Sequence, residues 1–408
     1  MSRIDELIQE ECSNGVEFRH LSELCDIQNG FAFSSEFFNT EGRGTPLIRI
    51  RDINTGFSGT FFSGGFDSKF LVEPGDIVIG MDGAFQAIRW PHEQALLNQR
   101  TCRLQNFRPE INPQFLFHAL NPVLHKINGA TEQSTVKHLS TKQLGQTPFP
   151  VPPMPVQEEI VRILDTFTEL EAELEAELEA RQKQYAAFRE WQFTAGRSLL
   201  ASDPPILELG EVMLRIRTGL NPRSNFVLNP NDGQNFYVTV RELKGFDIEV
   251  GPKTDLLNEE ALRLIQKRSQ LEPGDVLFSG TGTIGRTAIV PEGRRDWNIK
   301  EGVYAITLHP HLVDSRFFVH LIRTQGFQEQ LKMHSEGSTV SSISMQNLRR
   351  IGIPVPEMKI QLEVAKNLDV FEGLVRDATF GLPAEITARR KQYEYYRDKL
   401  LTFEELVA

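Results

Sequence analysis

The chain has 408 residues, of which 40 % are hydrophobic, 24 % charged and 9 % aromatic; that is enough for two or three domains with real cores, and it lies outside the disordered and collagen-like ranges. Three cysteines, Cys12, Cys25 and Cys102, are odd in number and lack metal-ligand spacing, which argues against a disulfide framework and a cysteine zinc site. A net charge of −11 argues against holding nucleic acid by overall field, because phosphate binding needs clustered Lys and Arg.

The N-terminus, MSRIDELIQEECSNGVEF, carries acids where a signal peptide needs an apolar core. No run approaches the ~18 apolar residues of a membrane span, so a cytoplasmic protein is expected. GVEFRHLSELCDIQNG follows, with Leu21, Glu23 and Gly30, and then LIRIRDI ending at Ile53. There Arg49 and Arg51 alternate with Ile48 and Ile50 and are predicted to share one strand face. Glu73-Pro74-Gly75-Asp76 leads into the β-type run DIVIG and a turn from Met81 to Gln86, and Asn98, Gln99 and Arg100 form a polar cluster. A helical patch is predicted over residues 112–120. STV at Ser134 to Val136, with Lys137 and His138 behind it, precedes Pro148, Pro150, Pro152, Pro153 and Pro155, which form a stiff extended exit.

A long helix begins after the prolines. Its apolar positions Ile160, Leu164, Phe167, Leu170, Leu174, Leu178, Tyr185 and Phe188 are spaced by threes and fours, the pattern of a coiled-coil seam. The repeated LEAE between Leu170 and Glu177 adds steps of four that locally unwind a supercoil.

The second half repeats the first. PPILELGEVMLRIRTG brings Leu209, Glu211 and Gly219, and YVTVREL, with Arg241, matches LIRIRDI. Glu272-Pro273-Gly274-Asp275 precedes the runs DVLFSG, RTAIV and VYAITL, with a helical patch at residues 315–323. Ser338 to Val340 and IPVPEMKIQLE then return at a constant offset of 204, and ARRKQYEYYRD from Ala388 answers ARQKQYAAFRE from Ala180 at an offset of 208. The second seam is Leu368, Phe371, Val375, Ile386, Tyr393, Tyr396, Leu400 and Phe403, with Gly381 and Pro383 expected to break or kink it. The predicted fold class is α+β: a sheet-containing domain at 1–155, a long helix at 156–201, a second such domain at 202–356 and a second helix at 357–408. The two seams are expected to pair as an antiparallel coiled coil, a ruler with a reader at each end. Net charge by segment is −4, −5, 0 and −2 in that order, and the two domains carry 31 of the 44 cations.

Gly280-Thr281-Gly282-Thr283-Ile284-Gly285 fits the dinucleotide fingerprint in letters, but a β-branched strand rather than a helix follows it. It is predicted to be a strand-to-strand turn. Thr281, Thr283 and Arg286 would suit a DNA backbone; a hairpin without ligand is the competing reading. The STV segments, with Ser338, Thr339, Ser341 and Ser342 in the second copy, serve equally well as helix caps or phosphate contacts. Asn298 and Lys300 stand opposite the Asn98 cluster; such side chains read adenine and guanine edges or form solvated loops. Asp203-Pro204-Pro205-Ile206 lacks the aromatic of the amino-methyltransferase motif and reads as linker. The nine histidines are scattered, with His309 and His311 the close pair. No Walker loop, S-adenosylmethionine loop or paired catalytic carboxylates can be placed.

Across both halves the chain resembles the specificity subunits of type I restriction-modification enzymes. The resemblance rests on the duplicated plan, on PVPPMPVQEEIVRILD and PVPEMKIQLEVAKNLD at the helix starts, on the ARQKQY and ARRKQYEYYRDKLL ends, and on the strand before the glycine turn. Val156-Gln157 and Ile360-Gln361 stand where the family has Glu-Gln. The resemblance implies two target-recognition domains, each reading half of a split and asymmetric DNA target, and helices that set the spacer. It also implies two methylation subunits docked on that frame, with restriction subunits beside them. S-adenosylmethionine and ATP are then expected on those partners, with no catalytic residue, metal or cofactor in this chain. The rival readings are a stand-alone DNA methyltransferase and a coiled-coil adaptor that binds protein alone.

Overall fold

The computed structural model describes residues 3–83, 85–130, 138–194, 204–223, 225–293, 295–335, 341–376 and 381–406. It divides into two compact units, Met1–Glu175 with Ile386–Ala408, and Ala176–Glu385. The first unit therefore takes both ends of the chain, and the first spacer helix, Met154–Gln192, contributes to both units. Among the described residues no helix is long and apolar enough to cross a membrane.

In the first unit a four-stranded antiparallel sheet runs in the order Asp26–Asn29, Thr101–Gln105, Ile77–Gly80, Gln86–Arg89. Ile77, Val78 and Ile79 are all buried. Successive side chains point to opposite faces, so Ile77 and Ile79 pack with Phe115, Leu116 and Leu120 of the Pro113–Ala130 helix, while Val78 packs with Ile48, Val72 and Trp90. Covering on both faces explains why this strand is a continuous apolar run rather than an alternating one. A second sheet holds Phe38–Asn39, Phe61–Phe62, Thr45–Ile48, Ala95–Leu97 and Leu71–Val72 in that order.

The second unit repeats the plan with Met213–Thr218, Val303–Leu308, Val276–Ser279 and Thr287–Ile289. Val276 and Phe278 face Phe317 and Val319 of the Ser315–Ile322 helix, and Leu277 faces Val238 and Ile299. The β-type runs and both helical patches lie where the sequence predicts them, the first patch extending on to Ala130.

The repeated Glu-Pro-Gly-Asp has a structural task. Asp76 accepts from the Glu73 amide at 2.9 Å and from Arg103 at 2.8 Å; Asp275 accepts from the Glu272 amide at 2.8 Å and from Arg217 at 2.5 Å. Arg103 comes from the strand next to the central one, Arg217 from the strand beyond it. The two copies thus neutralise the same carboxylate from different strands.

The proline exits are extended, as expected, and form edge strands: Pro148–Pro150 pairs with Phe18–His20, and Gly352–Pro354 with Ile206–Glu208. A short edge tolerates residues with no N–H to donate. In the first unit the start of the first spacer helix and the Leu382–Leu400 helix pack in opposite senses, Phe167 stacking on Tyr396 and Arg390 pairing with Glu171 and Glu175. In the second unit the end of the first spacer helix packs against Met358–Arg376 through Tyr185, Phe188, Phe371 and Leu368. The described helices of this segment are Met358–Arg376 and Leu382–Leu400, and the expected break near Gly381 and Pro383 adjoins residues 377–380, which lie outside the described residues.

Candidate nucleic-acid interface

Three segments that the sequence offers separately come together in each unit. In the first, the Met81 amide donates to the Arg100 carbonyl at 2.9 Å and the Leu139 amide to the Met81 carbonyl at 2.8 Å. In the second, the Gly280 amide donates to the Gly302 carbonyl at 2.8 Å and the Ile343 amide to the Gly280 carbonyl at 2.9 Å. The turn after the central strand, the loop near residue 100 or 300, and the tail of the STV segment are thereby held in one backbone pattern. Bridges between Asp82 and His138, and between Thr281 and Ser342, complete it.

The side chains placed on this common pattern differ. In the first unit Asp82 lies 2.6 Å from His138 and 3.6 Å from Arg100, and Arg100 Nη1 is 3.3 Å from His138 Nδ1. Gln99 and Arg100 are exposed. An acid between an imidazole and a guanidinium orients both and leaves carboxylate oxygens of the kind that accept from a cytosine amino group. In the second unit Thr281, Thr283, Lys300 and Ser341 are exposed and Ser342 is half-buried. The glycine-rich segment is the expected hairpin turn between antiparallel strands. Arg286 sits at its base and lines a cleft of about 1140 Å³ with Lys244, Phe246, Arg316 and Arg323.

Other candidates are placed differently from the sequence reading. Arg49 and Arg51 do not share a strand face: the strand ends at Ile48 and a 3-10 turn spans Ile50–Asn54. Buried Asp52 accepts from the Arg49 amide at 2.9 Å and so turns the chain, and Arg51 reaches Thr60 at 3.0 Å. Arg241 lies in a turn, its charge met by Asp255 at 3.3 Å and Glu242 at 3.8 Å. Asn298 is no base reader. It is 3 % exposed, and its oxygen accepts from Ser269 and from the Ile299 amide, both at 2.8 Å. Asn98 is also buried, at 7 % exposure. Ser134, Thr135, Lys137, Ser338 and Thr339 lie outside the described residues. Ser140 and Ser344 cap the short helices that follow these segments, their hydroxyls accepting from the Gln143 and Asn347 amides at 3.1 Å.

What fixes each interface to its helices escaped sequence reasoning. Gln157 and Gln361, in the quoted helix-start motifs, are fully buried. Gln157 accepts from the Asn112 amide and donates to the Glu110 and Pro152 carbonyls at 2.7–2.9 Å. Gln361 does the same with Asp314, Leu312 and Pro356. Below them His118 Nε2 meets Asp165 and His320 Nε2 meets Asp369, each at 2.8 Å. Burial pushes both imidazoles below their ordinary pKa, against the pull of those aspartates. Burial alone would raise Asp369, but hydrogen bonds from His320 and Arg316 carry it below the usual value. Burial together with Glu372 pushes the Tyr185 hydroxyl up to about 12. The aspartates end the motifs RILD and KNLD, a repeat visible in the sequence; nothing there pairs them with particular histidines. Among the described residues no group of three or more His, Cys, Asp or Glu could hold a metal ion.

Residues 13–180 and 208–388 match the family model of the type I restriction modification DNA specificity domain. The chain is 30 % identical over 370 residues to the type I restriction enzyme EcoBI specificity subunit of Escherichia coli, covering 86 % of this chain and 77 % of that one. It is 31 % identical over 404 residues to a protein described as a type I restriction enzyme specificity subunit of Haemophilus influenzae, covering 95 % and 96 %. Its fold is similar, at a TM-score of 0.60 and 16 % identity over 95 % of this chain and 97 % of the other, to a chain in a structure concerned with complex assembly and conformational transition of the type I R-M system. With a duplicated fold, a repeated loop cluster and matches over both halves, this chain belongs to the specificity subunits of type I restriction-modification enzymes.

Proposed function

We propose that the chain reads DNA sequence for a type I restriction-modification complex and is itself noncatalytic. Each unit takes one half of a split target, and the spacer helices set the number of base pairs between the halves. The observation that carries this reading is the three-segment cluster: one backbone pattern in both units, filled with Asp82, Gln99, Arg100 and His138 in the first and with Thr281, Thr283, Lys300 and Ser341 in the second. A common scaffold with different polar side chains is what two different half-sites require, so the target is asymmetric.

Two methylation subunits dock on the helices, with restriction subunits beside them. Val370, Leu374 and Tyr395 leave 60 %, 61 % and 64 % of their surface exposed on those helices, apolar area of the kind a partner covers. S-adenosylmethionine and ATP belong to those partners, and this chain brings no cofactor. The assembly works on DNA in the cytoplasm of a bacterium or archaeon. The test is a genome-wide map of methylated adenines in a host expressing this chain with its methylation subunit, set against the same host lacking only this chain. A split, asymmetric motif that disappears with the chain is the expected result; identical maps would mark an adaptor that binds protein alone.

A further inference from the structure

Phe31 lies at the edge of the first unit's loop cluster. Its amide donates to the Leu97 carbonyl and its carbonyl accepts from the Gln99 amide, both at 2.9 Å, and it bridges to Asn98. The preceding Gly30 allows this approach, since a side chain there would run into the Asn98 carbonyl. The backbone of Phe31 is thus tied to the loop that presents Gln99 and Arg100. Its ring is backed by Phe33 at 5.2 Å and Phe70 at 5.1 Å, yet 50 % of the residue is exposed.

The matching place in the second unit follows Gly219, where a side chain would meet the Ile299 carbonyl. There Leu220 is half-buried, packed with Phe226 and Tyr237, and its carbonyl accepts from the Tyr237 hydroxyl at 2.8 Å. The second unit turns this position into its core, whereas the first leaves an aromatic ring bare. An isolated exposed apolar residue needs no explanation. A ring packed against two neighbouring rings, beside exposed amide and guanidinium donors, is a preorganised contact that loses little entropy on binding.

We propose that Phe31 is a specificity-determining residue of the first unit, which touches the apolar surface of a base in that unit's half-site. This rests on the DNA-reading function proposed above. Gln99 and Arg100 supply hydrogen bonds to base edges and Phe31 supplies the contact that polar groups cannot make. Two base surfaces fit: the thymine 5-methyl in the major groove, or the face of a base at an opened step.

The experiment uses this chain in complex with its methylation subunits, on duplexes carrying the mapped motif. For Phe31→Ala the affinity for the intact motif is expected to fall about tenfold. The penalty for altering one half of the motif should shrink, and that for altering the other half should stay. Phe31→Leu should fall between the two proteins. An affinity within about twofold of the parent, or equal loss of discrimination at both halves, overturns the proposal, the latter because Phe31 would then not act on one half-site. Replacing each thymine by uracil, with the parent protein, separates the two surfaces: loss at one position assigns the methyl, and no loss beside an impaired Phe31→Ala assigns the base face. If the parent complex itself shows no sequence preference, the DNA-reading function has failed and not the role of Phe31.

Discussion

The hydroxyl of Tyr393 lies 3.0 Å from Nδ1 of His118, 275 positions earlier in the chain. Its mirror is Tyr185, 3.2 Å from His320 Nδ1 and donating to Glu372 at 2.8 Å. Both tyrosines close a KQY sequence. The KQY of the second helix therefore serves the first unit, and that of the first helix serves the second. Each His–Asp–Tyr brace joins a recognition domain to both spacer helices. Tyr393→Phe is expected to cost the first unit about 1 kcal/mol, and Tyr185→Phe somewhat more in the second because its hydroxyl also donates to Glu372. Hydrogen exchange resolved by unit checks the assignment; equal loss in both units for either variant would sink it.

The braces also set a pH dependence. His118 faces Asp165, Tyr393, Arg89 and Arg397, and His320 faces Asp369, Glu372, Tyr185 and Arg323. Both imidazoles are held below 6.5 when folded, so the unfolded chain binds the protons more tightly and stability falls as pH drops below 6.5. Asp369, depressed in the fold, adds a loss at lower pH, below its ordinary 3.8. Unfolding midpoints from about pH 7.5 to about pH 5.5 should fall for the parent and change less for His118→Gln with His320→Gln. Parallel slopes would show that other groups carry the effect.

Gln157 and Gln361 each satisfy one amide and two carbonyls at a helix start. Gln157→Leu keeps the volume and strands those groups, at a cost of about 1–3 kcal/mol in its own unit. Denaturant unfolding should show it, and Gln361→Leu should do the same in the other unit. A neutral outcome would mean that water replaces the side chain.

Arg100 and Arg286 belong to different units. Arg100→Ala should weaken discrimination at one half of the target and Arg286→Ala at the other, by about 1–3 kcal/mol where the contact is to a base edge. Competition binding with each half altered in turn separates them. Unchanged binding by both variants would favour the protein-only adaptor.

One more LEAE after Glu177 lengthens the helix by about 6 Å. With base pairs about 3.4 Å apart, the methylated motif should keep both halves and gain one or two base pairs between them. A motif of unchanged spacing would refute the ruler.

Duplication, strands, the helix patches, the glycine hairpin and the proline exits were legible because each leaves a local trace: a repeat, an apolar run, a breaker. That the chain carries two versions of one reader on coiled-coil helices was determined by sequence alone. Which polar residues reach the surface was not. Asn298 looks like a base reader and is a buried acceptor; Arg49 and Arg51 look like one strand face and lie on a turn made by Asp52. His118 and His320 look scattered until helix packing brings Asp165, Asp369 and the KQY tyrosines to them. Periodicity and turn chemistry act over a few residues and can be read in order along the chain, whereas burial and hydrogen-bond partnership are settled between residues far apart, so only the tertiary structure decided them.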